Sequence, residues 1–185
     1  MQDAARIVSF TGRDRPGIVE RLAAVVAEAG GNWEESRMAR LGGCFVAMVK
    51  VSLPASRVAA LGAAFEDLGA LGLVRVTDVE GDEDAPAGRR MRLELTGADH
   101  PGIVRDVSRV LAAQRVNIAE MSTERLAAPM SGDQLFTAVA ELTLPAGLSA
   151  SALRRELEQL AADLVVDIAL ADPEESTPVD GRSGG

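Results

Sequence analysis

The sequence predicts an α+β chain built from two tandem βαββαβ units, and three observations carry that prediction. One nine-residue stretch occurs twice. Each occurrence is followed by the same succession of strand-period and helix-period apolar patterns. An acidic stretch containing Gly and Pro separates the two copies.

The duplicated stretch is Thr11-Gly-Arg-Asp-Arg-Pro-Gly-Ile-Val19 against Thr96-Gly-Ala-Asp-His-Pro-Gly-Ile-Val104, identical at seven of nine positions at an offset of 85. The same offset aligns Asn32 with Asn117, Glu35 with Glu120 and Arg40-Leu41 with Arg125-Leu126. It then grows to 91, aligning Phe45 with Phe136 and Leu53-Pro54 with Leu144-Pro145. The second copy therefore carries six extra residues near Ala127 to Asp133, where Pro129, Ser131 and Gly132 predict a longer hairpin loop. Two copies of this length read as two small domains, not a solenoid. The predicted division is a first domain over 4–80, an acidic linker over 81–89, a second domain over 90–171 and a polar, disordered tail over 172–185.

Within each copy the elements follow in order. Arg6 to Thr11 is a short apolar run before a Gly, and Met91 to Thr96 alternates with period two, so both are strands. Ile18, Leu22, Val25, Val26 and Ala29 fall at helical spacing, as do Ile103, Val107, Val110 and Leu111. Gly30-Gly31 ends the first of these helices. Asn32 to Arg40 and Asn117 to Leu126 suit second strands, and Phe45 to Leu53 and Phe136 to Leu144 alternate as third strands. Val58, Leu61, Phe65 and Leu68 mark a second helix. Leu153, Leu157, Leu160 and Leu164 mark its partner, with Ser149 or Ser151 as N-cap. Leu73 to Val79 and Leu164 to Leu170 close the copies as fourth strands. Strand–helix–strand–strand–helix–strand is the ferredoxin-like topology, with both helices on one face of an antiparallel sheet. Units this small leave the other sheet face in want of cover, so the two copies are expected to pack together and edge strands to pair within or between chains, making a homo-oligomer possible.

Composition limits the function. The 185 residues are 47% hydrophobic and 25% charged, as in soluble globular proteins. A net charge of −9 and the scarcity of aromatics argue against direct nucleic-acid binding. Cys44 has no second Cys to pair with, and Cys44 with His100 cannot alone make a zinc site. No leader pattern and no membrane-length apolar run is seen, so a cytoplasmic protein with no membrane partner is expected. No phosphate-binding glycine loop and no nucleophile elbow occurs, so the reading is of a non-catalytic protein with no catalytic residues, no metal and no cofactor.

The loops after the first strands hold the candidate ligand residues. Asp14-Arg-Pro-Gly17 and Asp99-His-Pro-Gly102 each lead into a helix. Pro suits a first turn, Gly lets a ligand approach the backbone, and the amides of Ile18 and Ile103 stand at a positive helix end that could hold a carboxylate. Asn32 and Asn117 offer both donor and acceptor. The other reading of these residues is local: Asp14 and Asp99 cap their helices and Pro-Gly shapes the turn. His100 either meets an anion or is a solvated loop residue, like Arg15 at the matching place. Cys44 is read as a half-buried inert thiol, and Trp33, aligned with Ile118, as packing.

Two such loops, each in a βαββαβ unit with a following Asn, resemble tandem ACT domains over about residues 4–171. A stand-alone pair is similar to the glycine cleavage system transcriptional repressor family. The resemblance implies an amino-acid-binding regulator acting on a protein partner, a transcription activator, with glycine the first candidate ligand, bound between domains. The alternative it implies is a regulatory subunit of an amino-acid biosynthetic enzyme. Asp14, Gly17, Ile18 and Asn32 match the ligand loop in the first copy, and Asp99, Gly102, Ile103 and Asn117 in the second.

Overall fold

The structure, a computed structural model, describes residues 3–79, 88–128 and 132–172. Most of the acidic linker, the centre of the insertion and the tail beyond Asp172 lie outside these residues, as does the side chain of Leu68. The chain divides into two compact units, Met1–Glu83 and Asp84–Gly185.

In the first unit β1 (Asp3–Arg13), α1 (Ile18–Glu28), β2 (Asn32–Leu41), β3 (Cys44–Pro54), α2 (Val58–Glu66) and β4 (Gly72–Asp78) form a sheet in the order β2-β3-β1-β4. The second unit repeats this with β5 (Arg89–Ala98), α3 (Ile103–Ala113), β6 (Asn117–Ala127), β7 (Gln134–Leu144), α4 (Ala150–Leu164) and β8 (Val166–Ala171), in the order β6-β7-β5-β8. Every neighbouring pair is antiparallel. Both units are thus ferredoxin-like. The repeat extends to a matched irregularity, a register shift between Trp33 and Glu35 and between Ile118 and Glu120.

Strand alternation decides the core. Val8 and Phe10 of β1 and Ala47, Val49, Val51 and Leu53 of β3 turn one face inward, where Ile18, Leu22 and Val26 of α1 and Leu61 and Phe65 of α2 meet them. Met91, Leu93, Leu95, Leu142 and Leu144 do the same beneath Ile103, Val107, Leu111, Leu153 and Leu157 in the second unit. Trp33 packs half-buried against the first core. Cys44 corrects the sequence reading: it is exposed, not half-buried. It precedes the half-buried Phe45 at the hairpin tip, so alternation turns it away from the helices.

The hairpins differ as the offset requires. Gly42 and Gly43 make the two-residue turn between β2 and β3 with φ of 58° and 80°, which mirror-image turns demand. Between β6 and β7 the longer loop is closed by Ala128 N–H donating to Asp133 O at 2.8 Å. Ser149 is the N-cap of α4, its hydroxyl accepting from Ala152 N–H at 3.2 Å. No described helix is long and apolar enough to cross a membrane.

Candidate functional site

The repeated Thr-Gly opening of the motif has a packing origin. A Cβ on Gly12 would stand 2.5 Å from Leu71 O and 2.6 Å from Phe10 Cζ, and one on Gly97 would collide with Val166. Only glycine lets the last strand of each sheet approach the end of the first.

The aspartates do not cap their helices. The N-caps are Gly17, at φ 88°, and Gly102, at φ 105°, without a side-chain capping bond in either case. Asp14 Oδ2 instead accepts from Arg40 Nε at 3.1 Å, and Asp99 Oδ2 from Arg125 Nε at 2.6 Å. The backbone repeats the tie: Asp14 N–H donates to Gly43 O at 3.2 Å and Asp99 N–H to Gln134 O at 2.9 Å. Each loop is therefore strapped to the neighbouring hairpin by one ion pair and one backbone bond. Arg40 and Arg125 are aligned by the repeat, and that alignment was the signal for a pair the sequence reading left unassigned.

The helical ladder begins three residues into each helix. The first intrahelical bonds are Arg21 N–H to Gly17 O, 3.1 Å, and Asp106 N–H to Gly102 O, 2.9 Å. The amides of residues 18–20 and 103–105 thus have no helical carbonyl, and Pro16 and Pro101 bring no amide. Ile18 and Ile103 are buried in their cores and contribute only backbone to the loop. Val19 and Val104 beside them are 42% and 41% exposed, so both loops are bordered by an uncovered valine.

Asn32 and Asn117 do not join these loops within a copy. Asn32 pairs with Ser52, which pairs with Ala5, whereas the loop follows Arg13 at the other end of β1. Eight strand residues separate the two ends, about 27 Å at about 3.4 Å per residue. Asn117 opposite Thr143, itself opposite Arg90, repeats the separation.

The second loop is the more elaborate. His100 is half-buried, not solvated, with Nε2 3.2 Å from Leu164 O at the end of α4 and Nδ1 3.3 Å from Pro101 O. Asp106, the one buried charged residue among the core positions, receives Arg105 Nε and Nη2 at 3.1 Å each and Arg109 Nη2 at 3.2 Å. Hydrogen bonds from Arg105 hold its carboxyl below the ordinary range against the cost of burial, helped by the charges of Arg105, Arg109 and His100. Arg15, at the position of His100, is exposed.

Two surface grooves, one against α2 and β4 and one against the strands holding Ile7, Met48 and Lys50, are lined by no loop residue. Among the described residues no cluster of His, Cys, Asp and Glu could hold a metal.

The comparisons with known proteins agree with the fold. Residues 6–71 match the ACT domain family. The chain is similar to a crystal structure of an unknown protein from Galdieria sulphuraria, at 32% identity and a TM-score of 0.82, over 92% of this chain and 98% of that one. It shares its fold with a protein assigned as a glycine cleavage system transcriptional repressor, at 19% identity and a TM-score of 0.66, over 92% and 97%. No curated protein matches. The chain belongs to the ACT-domain family of regulatory modules. With the fold and the loop both duplicated, it is a tandem ACT-domain protein.

Proposed function

We propose that this chain is a non-catalytic sensor of a small amino acid that modulates a protein partner, a transcription regulator. The observation that carries the reading is the strapped Pro-Gly loop before α1, where the amides of residues 18–20 stand at a helix N-terminus ahead of the first helical bond. A ligand carboxylate has donors and a favourable dipole there, and Asp14 stands near for an ammonium group. Glycine is the first candidate ligand. The name of the repressor with the shared fold points to the same amino acid. The net charge of −9 favours action through a protein over contact with DNA.

Calorimetric titration with each of the common amino acids tests the reading. Glycine or another small neutral amino acid should bind saturably, and heat from none of them would refute it. Affinity capture in the presence and absence of that ligand then tests the partner. A DNA-binding regulator whose recovery depends on the ligand supports the assignment, and a biosynthetic enzyme in its place overturns that part.

A further inference from the structure

The two sheets turn unlike faces away from their helices. In the first unit the centre of that face is two cross-strand rows, Glu35-Lys50-Ile7-Thr77 and Arg37-Met48-Ser9-Arg75. The matching rows of the second unit are Glu120-Glu141-Arg92-Ala171 and Ser122-Val139-Glu94-Ala169. On the two central strands of the second unit the charges answer one another, Arg92 Nε lying 2.8 Å from Glu94 Oε1 and Arg92 Nη1 3.7 Å from Glu141 Oε1. The central strands of the first unit place Ile7, Ser9 and Met48 there, with Lys50 as the one charge. Met48 is 54% exposed, and a groove lined by Ile7, Met48, Lys50, Glu35 and Arg37 opens beside it. The same strands, in the same fold, thus present a charged face once and an apolar one once.

We propose that this face of the first unit is an interface between two copies of the chain, packed sheet on sheet about a two-fold axis that lies between the sheets and crosses the strands. Such an axis sets each of the two rows over the other row of the partner. Glu35 then faces the partner's Arg37, and Arg37 the partner's Glu35, so the charged side of the patch is its own complement. Within one chain this pair already meets, Arg37 Nη1 lying 3.0 Å from Glu35 Oε1. The two side chains stay 64% and 62% exposed, and a guanidinium and a carboxylate each have further hydrogen-bonding sites for a second partner. Lys50 comes over the partner's Met48, whose unbranched side chain suits an irregular groove. Ile7 comes over the partner's Ser9, and Thr77 over the partner's Arg75, so no two cations are directly opposed. The same operation on the second unit buries Arg92, Glu94 and Glu141 from its central strands, with the desolvation cost of three charges. The apolar centre and the exchanged pair therefore select the first face alone.

The test is analytical sedimentation of the full chain, in which the wild type should be a dimer. Met48→Asp sets a carboxylate at the centre of the patch and should weaken that dimer by about 30-fold or more, the scale of a central interface residue. Val139→Asp makes the same kind of change at the matching place on the second face and should leave the dimer intact. Ile7→Arg with Lys50→Glu takes the place of Met48→Asp should that variant fail to fold, since the second unit carries Arg92 and Glu141 at these positions. Arg37→Glu should also weaken the dimer, and Glu35→Arg added to it should restore it with the signs exchanged. A monomeric wild type overturns the proposal and leaves the face to a different protein. A dimer unmoved by Met48→Asp, or weakened as much by Val139→Asp, overturns it in favour of another surface, such as the sheet edges. Failure of the double charge reversal to restore the dimer overturns the two-fold placement.

Discussion

Arg115 offers a sharp test of how the repeat builds its helix ends. It occupies the place of Gly30 at the offset of 85, just past the first helix of its copy. Gly30 lies at φ 71° and its amide donates to Ala27 O at 2.9 Å. Arg115 lies at φ 56° and donates to Ala112 O at 3.0 Å, with Val116 N–H closing on Leu111 O at 2.9 Å. The backbone is the same, but an L side chain pays about 1–2 kcal/mol for this left-handed conformation. Arg115 is exposed, and its side chain makes no hydrogen bond or ion pair with another described residue. Arg115→Gly should recover that strain, less about 0.4–1 kcal/mol for the freer unfolded chain. The net expectation is stabilisation by about 0.5–1 kcal/mol, a rise of a few degrees at about 4–8 °C per kcal/mol for a domain of this size. Urea unfolding of the full chain measures it. Arg115→Ala is the control, since it removes the side chain and keeps the strain. A glycine variant no more stable than the alanine variant would refute the reasoning.

Other outcomes follow from the same contacts. A double-mutant cycle on Asp99 and Arg125 should give a coupling near the upper end of the range of about 0.2–1 kcal/mol for surface pairs, and one on Asp14 and Arg40 should fall below it. The Asp99 side chain is 22% exposed and the Asp14 side chain 35%, and the first pair is shorter; equal couplings would contradict this. The folded pKa of Asp106 is depressed, so its stabilisation is present in full above the unfolded carboxylate value of about 3.9 and is lost as pH falls through the folded one. The stability difference between wild type and Asp106→Asn should therefore hold steady down to about pH 5 and shrink as pH falls below about 4, and a difference that grows on acidification would reverse the sign. Cys44 should react with a thiol reagent at one equivalent per native chain, and reaction only after unfolding would place it in the interior.

The element order, the inward faces and the Ser149 cap were legible because each depends on local periodicity or on a single turn. The straps were not, because Asp14 and Arg40 meet only once the hairpin has folded beside the loop. Asn32 misled for a related reason. It follows a helix that returns the chain to the start of the sheet, so a residue close in sequence to the loop helix lies a strand's length away. Asp106 is a polar position on an amphipathic helix and carries no local sign of burial. Its burial comes from Arg105, Arg109 and the turn at Gly102 closing around it, and the only trace in the sequence is the reversal of sign against Arg21. Neither reading of His100 included its contact with Leu164 O, because nothing local shows that the end of α4 comes within reach of Nε2. Cys44 was placed half-buried because the hairpin was visible while the face it presents was not.

The measurement that bears most directly on amino-acid sensing is titration of Gly17→Val with the amino acid that the wild type binds. The new side chain would stand in open space at the N-cap of α1. Gly30→Val is its companion, since Gly30 also has positive φ and nothing within 4 Å of a built Cβ, yet lies at the far end of α1. Both variants should lose about 1–2 kcal/mol of stability to backbone strain. Only Gly17→Val should lose affinity, by about 10- to 150-fold, the equivalent of about 1.5–3 kcal/mol for a hydrogen bond to a charged group. Wild-type affinity in Gly17→Val, or an equal loss in both variants, would contradict a ligand site at the first loop.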